Sequence, residues 1–408
     1  MVKRVNLYFH VHQPFRLARY SPFEQSEPGS AYFDEAMNRK YFESIARSCY
    51  LPANAMLLEL LEAHDHFAVS FSVSGTLISQ ASAWCPEVLE GFRAMARTGR
   101  AEFLAETYYH SLSSLFFSHT EFRKQVRKHA DAVRRELGFK PRVFRNTELL
   151  YDNRTARAVR SLGFKAMLCE GTERLLGGRS PNYNYLASDA GGLKLLLRNY
   201  HLSDDVGFRF SNQGWGEWPL VAPKYAAWLD AADGDFVNLF MDYETIGEHH
   251  WRSTGIFEFI RHLPPEAEAR GVAFGTLSQA AEFTPSGEVG STQTVSWADL
   301  ERDASTWLGN RQQWACFHKL QQVASKVAEC GDEELLETCR KLQTSDHFMY
   351  LCRKSWSDGD VHKHFSPYKE NSPFENYANF MNILIDFEKV VDDKLGQSGT
   401  PSGEVAFA

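Results

Sequence analysis

The stretch "FVNLFMDYETIGEHH", Phe236 to His250, decides how this chain reads. Its first six residues hold one polar side chain, Asn238, and the run then breaks into Asp242, Glu244, Glu248, His249 and His250. A strand that is apolar at successive positions has both faces buried, the habit of parallel sheets covered by helices. Asp242, the first charge after the run, is therefore expected at the carboxyl end of a buried strand, where the catalytic groups of a parallel α/β barrel collect.

Other β-rich runs recur through the first two-thirds of the chain: "VNLYFHV" (5–11), "FAVSFSV" (67–73), "AEFLAE" (101–106), "RVFRNT" (142–147), "KAMLCE" (165–170), "LKLLLRN" (193–199) and "AFGTL" (273–277). Amphipathic helices lie between several of them. One is expected over 52–63 with Pro52 in its first turn, another over 121–137 with Thr120 as cap and Gly138 just past its end. Strand and helix in alternation predict an α/β fold of parallel strands, and seven or eight such strands can close into a barrel. The run after Gly191-Gly192 also reads as one arm of a hairpin inserted in a loop. Beyond the Gly/Ser/Thr-rich link "TPSGEVGSTQTVSW" (284–297) the pattern turns helical, over 310–329, 333–350 and 374–391. The expected division is a barrel over 1–285, a helical domain over 286–394 and a flexible tail over 395–408.

Composition excludes several partners. The net charge of -8 comes with no local Lys/Arg block, so nucleic acid is not expected. The seven cysteines show neither a CxxC pair nor zinc-ligand spacing and read as reduced thiols. No phosphate loop, dinucleotide fingerprint, nucleophile elbow or HExxH helix appears. The N-terminus lacks the apolar core of a signal peptide and no run reaches the length of a membrane span, which points to the cytoplasm and to no membrane partner. The chain is rich in rings, with 30 Phe, 16 Tyr and 9 Trp. Trp215, Trp218 and Trp251 are candidates for stacking on sugar faces, and equally for core or lid positions.

Four places set ionisable groups at strand ends. In "YFHVHQP", period-two geometry puts His10 and His12 on one face, able to grip a metal, to donate to hydroxyls, or to rest satisfied in a core. In "RAEFLAETYYHSL", Glu102 and Glu106 would share a face but stand ~13 Å apart if the strand continues, so they can act only separately. In "RVFRNTELLYDN", Glu148 follows a β-like run with Arg145 three residues before it. A nearby cation keeps a carboxylate ionised, as a nucleophile must be, although the same residues could begin a helix. Asp242 is the fourth. Paired with Glu148 across one cavity, it gives the two carboxylates that glycoside cleavage requires.

Taken together these segments resemble glycoside hydrolase family 57, in its α-amylase-type branch. "HVHQP", "AEFLAETYYHSL", "FRNTELLYD" and "FMDYETIGEHH" are similar to the family's first four motifs, in order, and "SWADLERDASTWLGNRQQ" and "TSDHFMYL...DGDVHKHFSPY" to its helical region. The resemblance implies an irregular (β/α)7 barrel followed by a C-terminal helical domain. It also implies retaining cleavage of α-glucans with no metal or other cofactor, Glu148 as nucleophile and Asp242 as general acid/base. By the same carry-over His10, His12, Gln13 and Glu102 contact the sugar whose bond is cleaved, His250 lies near Asp242, and Asp346 reaches in from the helical domain.

An apolar-walled mouth is expected to raise the pKa of Asp242 enough to hold a proton near neutrality. Glu244 is expected to orient a neighbour or a substrate hydroxyl, and His249 and His250 to point opposite ways. Three other readings stay open. A 4-α-glucanotransferase or branching enzyme would use the same pair. A metal-dependent deacetylase or α-mannosidase-like enzyme would take His10, His12 and Asp242 or His250 as ligands, and a glycan-binding protein would have lost catalysis altogether.

Overall fold

Asn238, the one polar residue in the buried run, explains how the strands meet. Its side chain accepts from Asn6 Nδ2 (2.8 Å) and donates to the carbonyl of Leu197 (2.8 Å), while its own carbonyl accepts from the Asn199 N–H (3.0 Å). A buried amide is tolerable only when paired, and this one ties three strands together.

The computed structural model describes residues 4–21, 23, 32–354, 368 and 371–398. The chain divides into two units, one made of 1–13 and 39–298, the other of 14–38 and 299–408. The first carries strands β1 (Arg4–Val11), β2 (Val69–Val73), β3 (Ala101–Phe103), β4 (Val143–Phe144), β5 (Ala166–Glu170), β6 (Tyr185–Ala187), β7 (Lys194–Arg198), β8 (Phe236–Asp242), β9 (Ala273–Phe274) and β10 (Glu288–Val289). Hydrogen bonding follows two five-stranded sheets. One has the order β3-β2-β1-β8, with β9 also pairing β1, and the other the order β10-β6-β7-β5-β4. All these pairings are parallel except β6 with β7. The hairpin and sheet readings of 193–199 therefore both hold: β7 lies parallel to β5 and turns back on β6 through Gly191 and Gly192, at φ 55° and 82°. Two seams link the sheets, a parallel bridge between Ala105 and Phe144 and the contacts of Asn238 with 197–199.

Alternation along β1 sends Val5, Leu7, Phe9 and Val11 into a large core with the helices Leu51–Ala63 and Glu87–Arg97, while Tyr8 faces a second core with Leu168, Leu196 and Phe240. His10 continues the Tyr8 face. On β8, Val237, Leu239 and Met241 join the first core and Phe236 and Phe240 the second, so Asp242 falls on the same face as His10. The register places these two residues side by side. The helix Thr120–Leu137 stops at Gly138, whose φ of 69° a side chain would strain.

The long elements described in the second unit are helices, and an antiparallel bridge joins Leu17 to Phe33. Arg311–Cys330 and Pro373–Ser398 lie together, with Lys326 paired to Glu388 (3.0 Å) and Asp392 (2.8 Å). Asn310 and Gln313 form a reciprocal cap at the start of the first of these helices. The single helix expected over 333–350 is two, Glu333–Lys341 and Ser345–Met349, because the Gln343 and Thr344 amides turn back to the carbonyls of Arg340 and Lys341. The last helix runs past 391 to Ser398. Most of the expected tail (399–408) and of the motif segment 358–368 lies outside the described residues. Among the described residues no helix is long and apolar enough to cross a membrane.

Candidate active site

Strand β1 ends by delivering three ring contacts. The imidazoles of His10, His12 and His110 stack with centroids 4.1–5.8 Å apart. His12 is fixed by Ser74 Oγ at 2.8 Å and Thr76 Oγ1 at 3.3 Å from Nδ1. His10 Nδ1 stands 3.4 Å from Asp242 Oδ1, and its Nε2 stands 3.6 Å from Glu106 Oε2.

Strand β3 is shorter than its sequence suggests. It ends at Phe103, Ala105 bonds across to Val143 and Arg145, and the chain turns so that Glu106 and His110, four residues apart, face each other at 3.3 Å. Glu106 is wholly buried, and its N–H donates to His129 Nδ1 (3.0 Å). His110 sits on left-handed backbone at φ 50°.

Glu148 also occupies left-handed backbone, at φ 54°, with Leu149 beside it at 52°. Such residues cost about 1–3 kcal/mol each and persist where their surroundings over-determine them. Here Asn146 clamps the turn, donating to Leu150 O (2.8 Å) and Ser114 Oγ (3.0 Å). Glu148 sits inside a short 3-10 turn, Thr147–Leu149, and no α-helix begins there. The following one starts at Asn153, capped by Asp152, so the turn is free to aim the carboxylate.

Glu148 Oε1 lies 3.1 Å from His110 Nε2, and Oε2 accepts from Trp297 Nε1 at 2.8 Å. The guanidinium of Arg145 rests 5.1 Å from the Trp297 ring. Burial alone would raise the pKa of Glu148. The hydrogen bond and charge of His110, the charge of Arg145 and the Trp297 donor outweigh it and hold the carboxylate far below its ordinary range. Burial likewise opposes charge on His110, but its bonds to Glu106 and Glu148 raise it to about 9. Two groups compete for His110 Nδ1: Arg145 Nη1 at 3.2 Å, which needs it bare, and Glu106 at 3.3 Å, which needs it protonated. With carboxylates on both sides of the ring the protonated form prevails, and Arg145 Nη1 is left to pair with Glu106 at 3.7 Å.

Asp242 keeps 41% of its side-chain surface open. The expectation that its pKa is raised is corrected: against burial, the bond and charge of His10 and the charge of His249 lower it. The group that is raised, to about 8, is Glu244, by burial and by the charge of Asp242. Glu244 is bonded by the hydroxyl of Tyr50 and by Gln13 Nε2 (3.4 Å). Tyr50 reaches it from a π-helical turn, Ala46–Tyr50, an irregularity that recurs at functional sites.

His10, His12, Gln13, Glu148, Asp242 and Glu244 are thus brought into one connected cluster. Glu102 is not. Its carboxylate accepts from the N–H (2.9 Å) and hydroxyl of Ser278 and from Ser70 Oγ (3.4 Å), two positions below His10 in the strand register. His250 donates Nε2–H to the carbonyls of Val206 (2.9 Å) and Gly207 (3.1 Å) and accepts at Nδ1 from Ser211, so it braces the loop over 207–211, while His249 is the neighbour whose charge reaches Asp242. Asp346 lies in the second unit, in the first turn of Ser345–Met349. Trp215 packs edge-on to Trp228 at the large core, whereas Trp218 and Trp251 are 45% and 69% exposed.

Sequence reasoning gave no role to His110 or Trp297; it took Arg145 as the cation beside Glu148, and Glu106 as a carboxylate acting apart from Glu102, without its link to His110. The four-residue spacing of "ETYYH" was the available signal for that pairing. Trp297 is the last residue of the Gly/Ser/Thr-rich link, beyond the expected end of the first domain at 285.

Glu106, His10 and His110 also offer ligand atoms within 4.8 Å of one another, the one such trio among the described residues. Arg145 stands 3.2 Å from His110 Nδ1 and 3.7 Å from Glu106 Oε2, so a fixed positive charge occupies the space a divalent cation would need. The trio does not fit a metal.

The profile of "Glycosyl hydrolase family 57" matches residues 6–296. A protein of Methanocaldococcus jannaschii named "Putative alpha-amylase" is 43% identical over 402 residues, covering 96% of this chain and 85% of its own. Among solved structures, the family 57 branching enzyme of Thermococcus kodakaraensis superposes with a TM-score of 0.71 at 12% identity, over 99% of this chain and 93% of that one. The 4-alpha-glucanotransferase of Thermococcus litoralis gives 0.67 at 15% identity over 95% of this chain, which spans 60% of that longer protein. At such identities the structures speak for the fold, an α/β arrangement of parallel sheets and helices. The profile and the close relative carry more: the chain belongs to glycosyl hydrolase family 57.

Proposed function

We propose that this glycoside hydrolase cleaves α-1,4-glucans such as glycogen, starch and maltodextrins with retention of configuration, through a covalent glycosyl-enzyme on Glu148, with Asp242 as general acid/base. The observation that carries the reading is the asymmetry of the two carboxylates. Glu148 is nearly buried, at 15% side-chain exposure, and faces His110, Arg145 and Trp297, surroundings that keep an attacking oxygen ionised. Asp242 stands at an open strand end with much of its surface in water. A sugar lying across the pair would exclude that water, and desolvation beside the Glu148 charge would then raise the Asp242 pKa toward the range a proton donor needs.

The names of the relatives, alpha-amylase and 4-alpha-glucanotransferase, direct the choice of substrate. His12, Gln13 and Glu244 are proposed to hold the cleaved sugar from the β1 side. Trp218 and Trp251 offer exposed faces for the rest of the chain, and Asp346 is a further candidate contact. The two seams between the sheets support an irregular (β/α)7 barrel followed by a helical C-terminal domain.

Product analysis on maltoheptaose and on glycogen tests the reading, with Glu148→Gln and a chelator-treated sample alongside. Shorter maltooligosaccharides from the wild type, none from the variant and no effect of chelation are expected. Products longer than the substrate would assign transfer in place of hydrolysis, and loss of activity on chelation would overturn the metal-free mechanism.

A further inference from the structure

A continuous line of contacts between ionisable groups runs between the two carboxylates of the proposed mechanism. Glu148 Oε1 meets His110 Nε2 at 3.1 Å, His110 Nδ1 meets Glu106 Oε2 at 3.3 Å, the same Oε2 lies 3.6 Å from His10 Nε2, and His10 Nδ1 lies 3.4 Å from Asp242 Oδ1. One oxygen of one residue therefore faces both imidazoles. We propose that Glu106 is a positioning residue that couples the nucleophile to the acid/base, acting on each through its own histidine. The proposal rests on the assignment of Glu148 and Asp242.

Burial gives the arrangement its force. Glu106 has no exposed surface, His110 is 2% and His10 4% exposed, so their interactions are screened far less than at the surface. An imidazole flanked by two carboxylates has its ring orientation and its proton fixed by the partner it does not present to the substrate. Glu106 supplies that partner twice, once behind the ring that touches Glu148 and once behind the ring that touches Asp242. Its other ionisable neighbours are Arg145, whose Nη1 lies 3.7 Å from the shared oxygen, His129, which accepts from the Glu106 N–H, and Tyr8, on the same face of β1 as His10. Neither Glu106 nor His10 need touch the sugar. The backbone agrees with this assignment, since the turn from Thr107 to His110 is tied to the Glu148 turn by the hydroxyls of Thr107 and Thr147, 2.7 Å apart.

The consequence is specific. Removing the negative charge of Glu106 takes from both rings the partner behind them and lifts a repelling charge from Glu148 and Asp242. Glu148 then holds its proton less tightly, while His110, raised to about 9 in the wild type, still carries its own across the acid range, so the acid limb of the kcat/KM profile moves down. Asp242 loses the same repulsion, which moves the basic limb down. A residue that merely filled space would lower kcat/KM without moving either limb.

The test is the pH dependence of kcat/KM for Glu106→Gln against wild type, on maltoheptaose. Both limbs are expected to move downward by roughly one to two pH units, the usual effect of a close charge. A Glu106→Gln profile whose limbs coincide with wild type, or in which a single limb moves, overturns the proposal. Should the glutamine variant not fold, Glu106→Asp keeps the charge and withdraws it from both rings by one methylene. Both limbs should then move in the same sense by less, and unmoved limbs are again fatal. Stoichiometric divalent metal retained by the purified wild type would also overturn it, because the trio would then be ligands. Glu148→Gln and Asp242→Asn assayed in parallel separate the two failures: wild-type turnover in either refutes the assignment of the pair whatever Glu106 does.

Discussion

The imidazole of His110 and the carboxylate of Glu148 meet at 3.1 Å, and both residues stand on left-handed backbone, at φ 50° and 54°. Two adjacent turns, one after β3 and one after β4, each accept an unfavourable conformation so that these two side chains converge. The ion pair that results keeps the proposed nucleophile charged.

Replacing His110 with Asn removes that cation. Glu148 is then easier to protonate, so the acid limb of kcat/KM should move up by roughly one to two pH units. A profile recorded with an uncharged substrate checks this, and an unmoved acid limb would mean that His110 does not set the ionisation of Glu148.

Trp297→Phe keeps a ring beside Arg145 but removes the donor to Glu148 Oε2. A hydrogen bond to a charged group contributes about 1.5–3 kcal/mol, so kcat should fall roughly 10- to 100-fold with little change in KM. Steady-state kinetics decide it, and a rise in KM at constant kcat would make the indole a binding group instead.

Glu244 carries a pH signature in stability. In the unfolded chain it ionises near ~4.3, whereas in the folded protein burial and the charge of Asp242 raise it to about 8. Between these values the folded state holds the extra proton, so this group's contribution is full at low pH and is lost as pH rises to about 8. Glu244→Gln should flatten the fall of stability across that window in urea unfolding curves. Parallel slopes for variant and wild type would contradict it.

Glu102→Ala addresses a carboxylate that the structure turns away from the cluster. It leaves the Ser278 N–H without its acceptor and should cost about 1–3 kcal/mol of stability, while the folded protein keeps its kcat/KM. Thermal melts and kinetics on the same preparation would show it. Lost activity at full stability would return Glu102 to the site.

Trp218→Ala with Trp251→Ala removes two exposed rings and should leave the melting temperature unchanged. If they stack on sugar, KM for long glucans rises while turnover of a short chromogenic glycoside stays constant. Equal KM values would dismiss them as subsites.

Much of the frame was legible because it follows from periodicity. The unbroken run at 236–241 and the alternation in "YFHVH" fixed which strands are buried and which face carries His10, His12 and Asp242. What escaped depends on departures from period. β3 was extended past Phe103 by its alternating pattern, which hid the turn that brings Glu106 under His110 and sends Glu102 to Ser278. The pKa of Asp242 went the other way for a similar reason, since its nearest partner, His10, comes from a strand 232 residues earlier. Trp297 lies far along the chain from Glu148, and no local pattern announces a donor that arrives from there.

The most direct test of the central claim is mass spectrometry of the peptic peptides after the protein has been trapped with a fluorinated glucosyl fluoride, which slows release of a glycosyl-enzyme. One glycosyl increment on the peptide that contains Glu148, absent in Glu148→Gln, is the predicted result. A label on another carboxylate, or full turnover of the probe with no covalent species formed at any time, would contradict it.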